Sequence, residues 1–449
     1  MRETYPRLRV WACACLLLAA ASVATAQTNR VDGITPMAPA LATPGPAAVG
    51  VRTLTAVDRG RPDVLRTTEG GAVARYDRRF TIEVWYPAAP GTGAAPGTQY
   101  ATTSRDPQRQ VVLSGRAARE AAPAAVPGGH PLVIISHGYP GNRFLMSHLA
   151  EHLASRGFVV ASVDHPDSTY DDQKAFASTL YNRPYDQLFV LGEFERLGRE
   201  GSGSFLAGVV DASRTAIVGY SMGGYGLLNV LGAGFSDASV TSPGAPPNRM
   251  LHERAASNPS FPRTADPRIR AAIAIAPWGL PARAWDRGAF SAITTPTLFV
   301  AGSADDVSGY ETGTRAMFDA ATGADRYLLT YLGAGHNAGA PIPAPAEAYA
   351  YSDTLKLSPF MHYADSVWDT VRMNNILQHF ATAFLALHLK SDAGMAPYLD
   401  VVPKGSEAVY SVERDGTPKA DHTYWKGFKQ RAAAGLTFEH LRPSTGTAR

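Results

Sequence analysis

Two kinds of apolar patterning run through the middle of the chain. Arg79–Tyr86 (RFTIEVWY) alternates apolar and polar residues, which predicts a half-exposed strand. Pro131–Ser136, Phe158–Val163, Thr215–Val218, Ala271–Ala276 and Thr297–Ala301 are instead short continuous runs rich in Val, Ile and Phe. Such runs predict strands buried on both faces. Helical spacing separates them at Phe144–Arg156, Tyr225–Leu231, Tyr310–Ala321 and Asp365–Leu389. Strands alternating with helices predict an α/β fold, a mostly parallel central sheet flanked by helices.

Where neither pattern holds, the chain reads as connection. Residues 27–70 read as a flexible leader, Pro/Ala/Thr-rich to about residue 50. The stretch 88–129 reads as a long, poorly packed loop, and insertions are expected near 167–210, 235–265 and 338–364. No internal repeat is present. The 449 residues therefore read as one elaborated domain over 71–390, not as the roughly three domains that length alone suggests. An ordered C-terminal extension, 391–449, follows and carries the aromatic segment Tyr424–Phe428.

Composition sharpens this. With 45% apolar and 18% charged residues a large core is available, and a net charge of +3 is too small for a nucleic-acid binder. No uninterrupted apolar stretch reaches 18 residues, so no stable membrane span is expected. Arg2, Arg7 and Arg9 precede a short apolar run, Val10–Ala21, and Ala24-Thr25-Ala26 places small residues before Gln27. That layout predicts a signal peptide over 1–26 and export to the periplasm or the exterior. Cleavage there leaves 39 basic against 38 acidic residues and removes both cysteines, Cys13 and Cys15. Disulfides, thiol catalysis and Cys-ligated metals would leave with them.

The chemistry-bearing motif is Gly219-Tyr220-Ser221-Met222-Gly223, a G-x-S-x-G turn. The pentapeptide alone is common by chance. Here a strand-like run ends at Val218 and a helical pattern opens beyond Gly223, the context in which the turn lifts a serine hydroxyl above the sheet edge. A serine hydroxyl needs a base, and the base needs an orienting acid. His336, in Gly333-Ala-Gly-His336, and Asp305, in Gly302-Ser-Ala-Asp305, both follow predicted strands, where α/β sheets gather their sites. Asp306 competes with Asp305 for the acid's role. The oxyanion of a tetrahedral intermediate needs two N–H donors. The backbone of Met222 offers one, and Tyr139, in the loop after Ser136, offers the other, since Pro140 has no N–H.

Several motifs carry a family likeness: Val84-Trp-Tyr-Pro87, Ser136-His-Gly-Tyr-Pro-Gly141, His152–Val160, Asp164-His-Pro166, the serine turn, and Arg372-Met-Asn with Gln378-His-Phe380. Over about 75–390 the chain resembles the α/β-hydrolase superfamily, above all the secreted bacterial group related to platelet-activating-factor acetylhydrolase and to predicted dienelactone hydrolases. The resemblance implies Ser221, Asp305 and His336 as a catalytic triad, with Tyr139 and Met222 forming the oxyanion hole. Dienelactone hydrolases use a Cys nucleophile; Ser221 departs from that, so lactone specificity does not follow from the resemblance. Ala276-Pro-Trp278 resembles a segment of cutinase-like polyester hydrolases, which makes Trp278 a candidate wall of the substrate pocket, shared with Tyr139. His165 either lines its mouth or is structural.

His148-Leu-Ala-Glu151-His152 matches the H-x-x-E-H signature of inverted zinc peptidases. No third ligand stands out downstream, and the motif is expected on a solvated helix face, so no metal site is assigned. The expected function is that of an exported serine hydrolase cleaving small or lipid-like carboxylic esters through an acyl-enzyme, without a cofactor. A peptidase or polyester hydrolase on the same triad is the nearest alternative, and a non-catalytic binding protein is the alternative of another class.

Overall fold

A computed structural model describes residues 29–91 and 96–444 of the chain. The expected signal peptide over 1–26, with Cys13 and Cys15, lies outside these residues.

In chain order the elements are strands β1 (Ala48–Pro62), β2 (Arg75–Ala88), β3 (Gln99–Thr103), β4 (Gln110–Ser114), β5 (Ala118–Arg119) and β6 (His130–Ser136), then helix α1 (Ser147–Ser155), β7 (Val159–Val163), α2 (Phe176–Gly198), β8 (Val210–Tyr220), α3 (Met222–Val230), the one-turn α4 (Asp237–Val240), β9 (Ile269–Ile275), β10 (Thr297–Gly302), α5 (Arg315–Ala320), β11 (Arg326–Tyr331), α6 (Thr370–Lys390) and β12 (Leu436–Leu441). One ten-stranded sheet runs β12-β11-β10-β9-β8-β6-β7-β2-β1-β5, while β3 and β4 pair separately. From β7 to β11 the ladder is parallel. Antiparallel partners flank it, β2 on β7 and β12 on β11. The mostly parallel α/β sheet is as the alternation of apolar runs predicts.

Helices cover both faces, as burial of every residue in β6 and β7 requires. Leu149 and Leu153 of α1 pack with Phe380 and Phe384 of α6 on one face; Leu180, Tyr225 and Met317, from α2, α3 and α5, pack on the other. The chain leaves β6 toward β7 on one side and returns to β8 on the other. That switch opens a crevice at the carboxyl ends of β6 and β8.

Four expectations are corrected. The expected leader, 27–70, is from residue 29 onward built into the domain: β1 pairs with β2 from Ala48↔Ala88 to Pro62↔Arg75, and Leu41 is buried. Val49 and Val51 pack into one core cluster and Ala56 into the other, so no single-face alternation marks the strand in the sequence. The loop 88–129 holds the β3–β4 hairpin, paired from Gln99↔Ser114 to Thr103↔Gln110. The H-x-x-E-H face is not solvated. α1 is buried along its length because α6 lies over it, and His152 Nε2 meets Thr382 Oγ1 at 2.8 Å. Finally, the extension beyond 391 is part of the core: Phe438 of β12 stacks on Phe380 at 4.5 Å, and Trp425 is buried beside it.

Each polar side chain of that motif has its own partner, although Nδ1 of His148 and of His152 meets none among the described residues. Glu151 accepts from the Tyr100 hydroxyl and from the N–H groups of Arg116 (2.9 Å) and Ala117 (3.2 Å), while His148 Nε2 meets the Gly339 carbonyl at 3.2 Å. Burial pulls His148 down to about 3 and His152 well below its ordinary value, so both rings are neutral. Among the described residues no group of three or more His, Cys, Asp or Glu is placed to hold a metal ion, and no helix is long and apolar enough to cross a membrane.

Candidate active site

Ser221 follows β8 at the crevice with φ 52° and ψ −112°, a backbone conformation that side chains avoid. The surroundings impose it. The Ser221 N–H donates to the Ile275 carbonyl at 2.9 Å, and the Ser221 carbonyl accepts from Tyr225 N–H (3.0 Å) and Trp278 N–H (3.1 Å). The two glycines of the motif are steric requirements. A Cβ at Gly219 would lie 2.4 Å from the Gly223 carbonyl oxygen, and one at Gly223 only 1.9 Å from that of Ser136. Thus α3 starts directly against the β6 strand end.

His336 follows β11, and its Nδ1 lies 3.0 Å from Asp305 Oδ1 and 3.1 Å from Oδ2. Asp305 is buried after β10, and its Oδ1 also accepts from the N–H groups of Val307 and Ser308, both at 2.9 Å. Burial pushes this carboxyl up; the His336 hydrogen bond and charge, with the two backbone donors, outweigh it and hold it below its ordinary value. Asp306, the competitor, is exposed and makes none of these bonds; its side chain faces the cavity beside Val307.

Ser221 and His336 line one cavity of about 550 Å³, together with Gly138, Tyr139, Met361 and His362. Tyr139 follows β6, and among the described residues neither its N–H nor that of Met222 donates to a protein acceptor. Both donors expected from the sequence are therefore available where the loop after β6 meets the start of α3. Trp278 does not line this cavity. It extends an aromatic row, its ring 5.4 Å from Phe176, which in turn lies 5.0 Å from Tyr139. Only Tyr139 of the two candidate wall residues faces the cavity. His165 is away from the mouth, fully buried between Ser136 Oγ (2.8 Å) and Asp186 (3.0 Å).

Three supporting residues escape a reading of motifs. Asn337 accepts from the Tyr220 hydroxyl at 3.0 Å and donates to the carbonyls of Met361 and Ala364, tying the residue after His336 to the residue before Ser221. Arg183 and Gln187 reach in from α2, inside the insertion 167–210. Gln187 donates to Ser136 Oγ (3.0 Å) and to the Gly223 carbonyl (2.8 Å), and Arg183 donates to the His137 carbonyl. A signal exists in the sequence: Asn182, Arg183, Asp186 and Gln187 form a polar stripe at helical spacing, followed by the apolar Val190, Leu191 and Phe194. Pro184 masks it by interrupting the helical pattern. In the folded chain Leu180, whose carbonyl loses its partner to that proline, accepts the Tyr225 hydroxyl instead, at 3.2 Å.

Comparison with known proteins fits this geometry. Residues 106–248 match a family model described as PET hydrolase-like. Cutinase 1 of Thermobifida cellulosilytica is 26% identical over 193 residues, which cover 42% of this chain and 52% of that protein. Cutinase est1 of Thermobifida alba is 28% identical over 176 residues, 39% and 43% of the two chains. The chain thus spans about half the length of the relatives it matches. Among solved structures, a ferulic acid esterase from Streptomyces cinnamoneus superposes with a TM-score of 0.53 at 22% identity, covering 81% of this chain and 94% of that one.

Proposed function

We propose that this chain, an α/β-hydrolase by fold, is a serine esterase that cleaves carboxylic esters through an acyl-enzyme on Ser221. In this reading Ser221 Oγ attacks the ester carbonyl as His336 Nε2 takes its proton. Asp305, bonded to Nδ1, holds the ring in the tautomer that leaves Nε2 free, and stabilises the imidazolium that forms. The carbonyl oxygen, now negative, is met by the N–H groups of Tyr139 and Met222, a stabilisation usually worth about 10²–10³ in rate per donor. His336 then protonates the departing alcohol, and water repeats the sequence to release the acid. The chemistry needs no cofactor.

The observation that carries this reading is His336, paired with Asp305, lining one cavity with a serine held at positive φ. A panel of p-nitrophenyl esters, with p-nitroanilides as the peptidase arm, tests it on wild type and Ser221→Ala. Turnover of esters but not anilides, abolished in the variant, is expected. No turnover by wild type would return the chain to the class of binding proteins, and equal turnover by the variant would remove Ser221 as the nucleophile.

One observation favours large or insoluble esters, the polyester alternative, within that class. Val307, Met361 and Val367 are more than half exposed, and Leu332 nearly so. Val307 and Met361 line the cavity, and Gly333 and Ser366 beside the other two do as well. An apolar rim of this kind suits contact with an apolar polymer or lipid-like surface. The sequence layout over 1–26 supports export, and a mature protein beginning at Gln27 is the expected result of N-terminal sequencing.

A further inference from the structure

We propose that Arg183, with Gln187 one helical turn on, is a positioning residue for the oxyanion hole, clamping the peptide group that presents the Tyr139 N–H. The inference rests on the esterase reading and adds a part to it.

The Gly138–Tyr139 peptide unit has two ends. Its N–H is the candidate oxyanion donor, and its C=O must point the opposite way because the bond is trans. That carbonyl is held from behind: His137 Nδ1 donates to it at 2.7 Å, and Arg183 Nη2 approaches it at 3.5 Å. Arg183 Nη1 donates to the preceding carbonyl, His137, and Nη2 also donates to Ser168 Oγ at 2.8 Å. His137 has to carry its proton on Nδ1, and its Nε2 accepts the His165 N–H at 3.2 Å. One guanidinium thus fixes two successive carbonyls of the oxyanion loop. Withdrawing density from the Gly138 carbonyl also makes the N–H at the other end a better donor.

On the other half, the carbonyl of the Ser221–Met222 unit is held by the Tyr225 and Trp278 N–H groups, and Gln187 braces the next turn through the Gly223 carbonyl, one residue past Met222. The helix bearing both approaches α3 closely, since a Cβ at Gly226 would lie 2.6 Å from Arg183 Cγ. Arg183 is fully buried and hydrogen-bonds no carboxylate among the described residues; Asp186 is committed to Arg61, Arg78 and His165. A buried cation placed this way is costly for stability; its Nη1 and Nη2 reach the loop that presents Tyr139, while Nε meets no partner among the described residues.

The test uses Arg183→Met and Arg183→Lys in the full chain. Its readouts are kcat and KM for p-nitrophenyl butyrate, the inhibition constant of a trifluoromethyl ketone whose adduct places an oxyanion in the hole, and the thermal midpoint. For Arg183→Met, kcat per titrated serine should fall about tenfold to a hundredfold, KM should stay within about twofold, and inhibitor affinity should fall by the same factor as kcat. Arg183→Lys, which can still reach one carbonyl, should recover part of both. A lowered midpoint with unchanged kcat and inhibitor affinity would make Arg183 a purely structural brace, and a rise in KM alone would equally overturn the proposal. If the Met variant does not fold, the Lys variant decides by the same readouts. Wild-type turnover that survives in Ser221→Ala would instead strike the esterase reading itself.

Discussion

Replacing Asp305 by Asn tests the candidate triad more sharply than removing it. Asp305 Oδ1 accepts from Val307 and Ser308 N–H, both at 2.9 Å, and Oδ2 lies 3.1 Å from His336 Nδ1. An Asn side chain keeps its oxygen toward the two backbone donors, because the flipped amide would set an NH₂ against two N–H groups in a buried site, leaving donors unsatisfied at about 1–3 kcal/mol each. The amide nitrogen then occupies the Oδ2 position and donates to Nδ1. The imidazole has to carry its proton on Nε2, the atom that must accept from Ser221. Loss of the working tautomer costs about 10⁴ in kcat, some 5 kcal/mol of transition-state stabilisation. Asp306→Asn removes only an exposed charge, and its kcat should stay within about threefold of wild type. Steady-state kinetics on p-nitrophenyl butyrate, with circular dichroism melts to verify folding, decide the matter. Retention of more than about a tenth of kcat in Asp305→Asn, or an equal loss in Asp306→Asn, would refute the tautomer argument.

Gly223→Ala would drive a methyl to 1.9 Å from the Ser136 carbonyl oxygen, and backbone must move by about 1 Å to relieve it. Loss of about 3 kcal/mol or more in a urea titration, with kcat down about a hundredfold, is expected; wild-type values would mean the turn is loose. Asp186→Asn removes the buried partner of Arg61 (3.0 Å) and Arg78 (2.8 Å) and should cost about 3–5 kcal/mol. Burial raises the Asp186 carboxyl, but Arg78, His165 and Arg61 outweigh it and hold it far below its ordinary 3.8. Its stabilising contribution is therefore complete above that ordinary value and is lost as pH falls toward the native one. The decline of wild-type stability from about pH 5 downward should be shallower in the Asn variant, and parallel curves would exclude the linkage. Phe438→Ala should cost about 3–5 kcal/mol and speed amide exchange along β11; unchanged exchange would show that β12 contributes little.

The parts legible in the sequence are those fixed locally. The run Thr215–Val218, the glycines at 219 and 223 and the opening of α3 lie within a dozen residues, and their roles follow from sterics of one turn. Asp305 against Asp306 is not legible, because adjacent loop residues differ only in which carboxylate the 305–308 turn folds inward. His148 and His152 look like a wet helix face until α6, more than 200 residues later, covers them. Arg183 and Gln187 are hidden for a further reason: beside the hydroxyls of Ser168 and Ser136, their partners are backbone carbonyls at 137, 138 and 223, which leave no mark on residue type.

β12 has a consequence for synthesis. It comes from residues 436–441, yet it pairs with β11, laid down about a hundred residues earlier. From its own emergence until residues 436–441 leave the ribosome, β11 is a bare edge with unpaired N–H and C=O groups, open to strands from other chains. The nascent protein therefore carries an adhesive flank from the emergence of β11 until residue 441 is made, and a chain stopped short of residue 436 is a nucleus for aggregation as well as an incomplete fold.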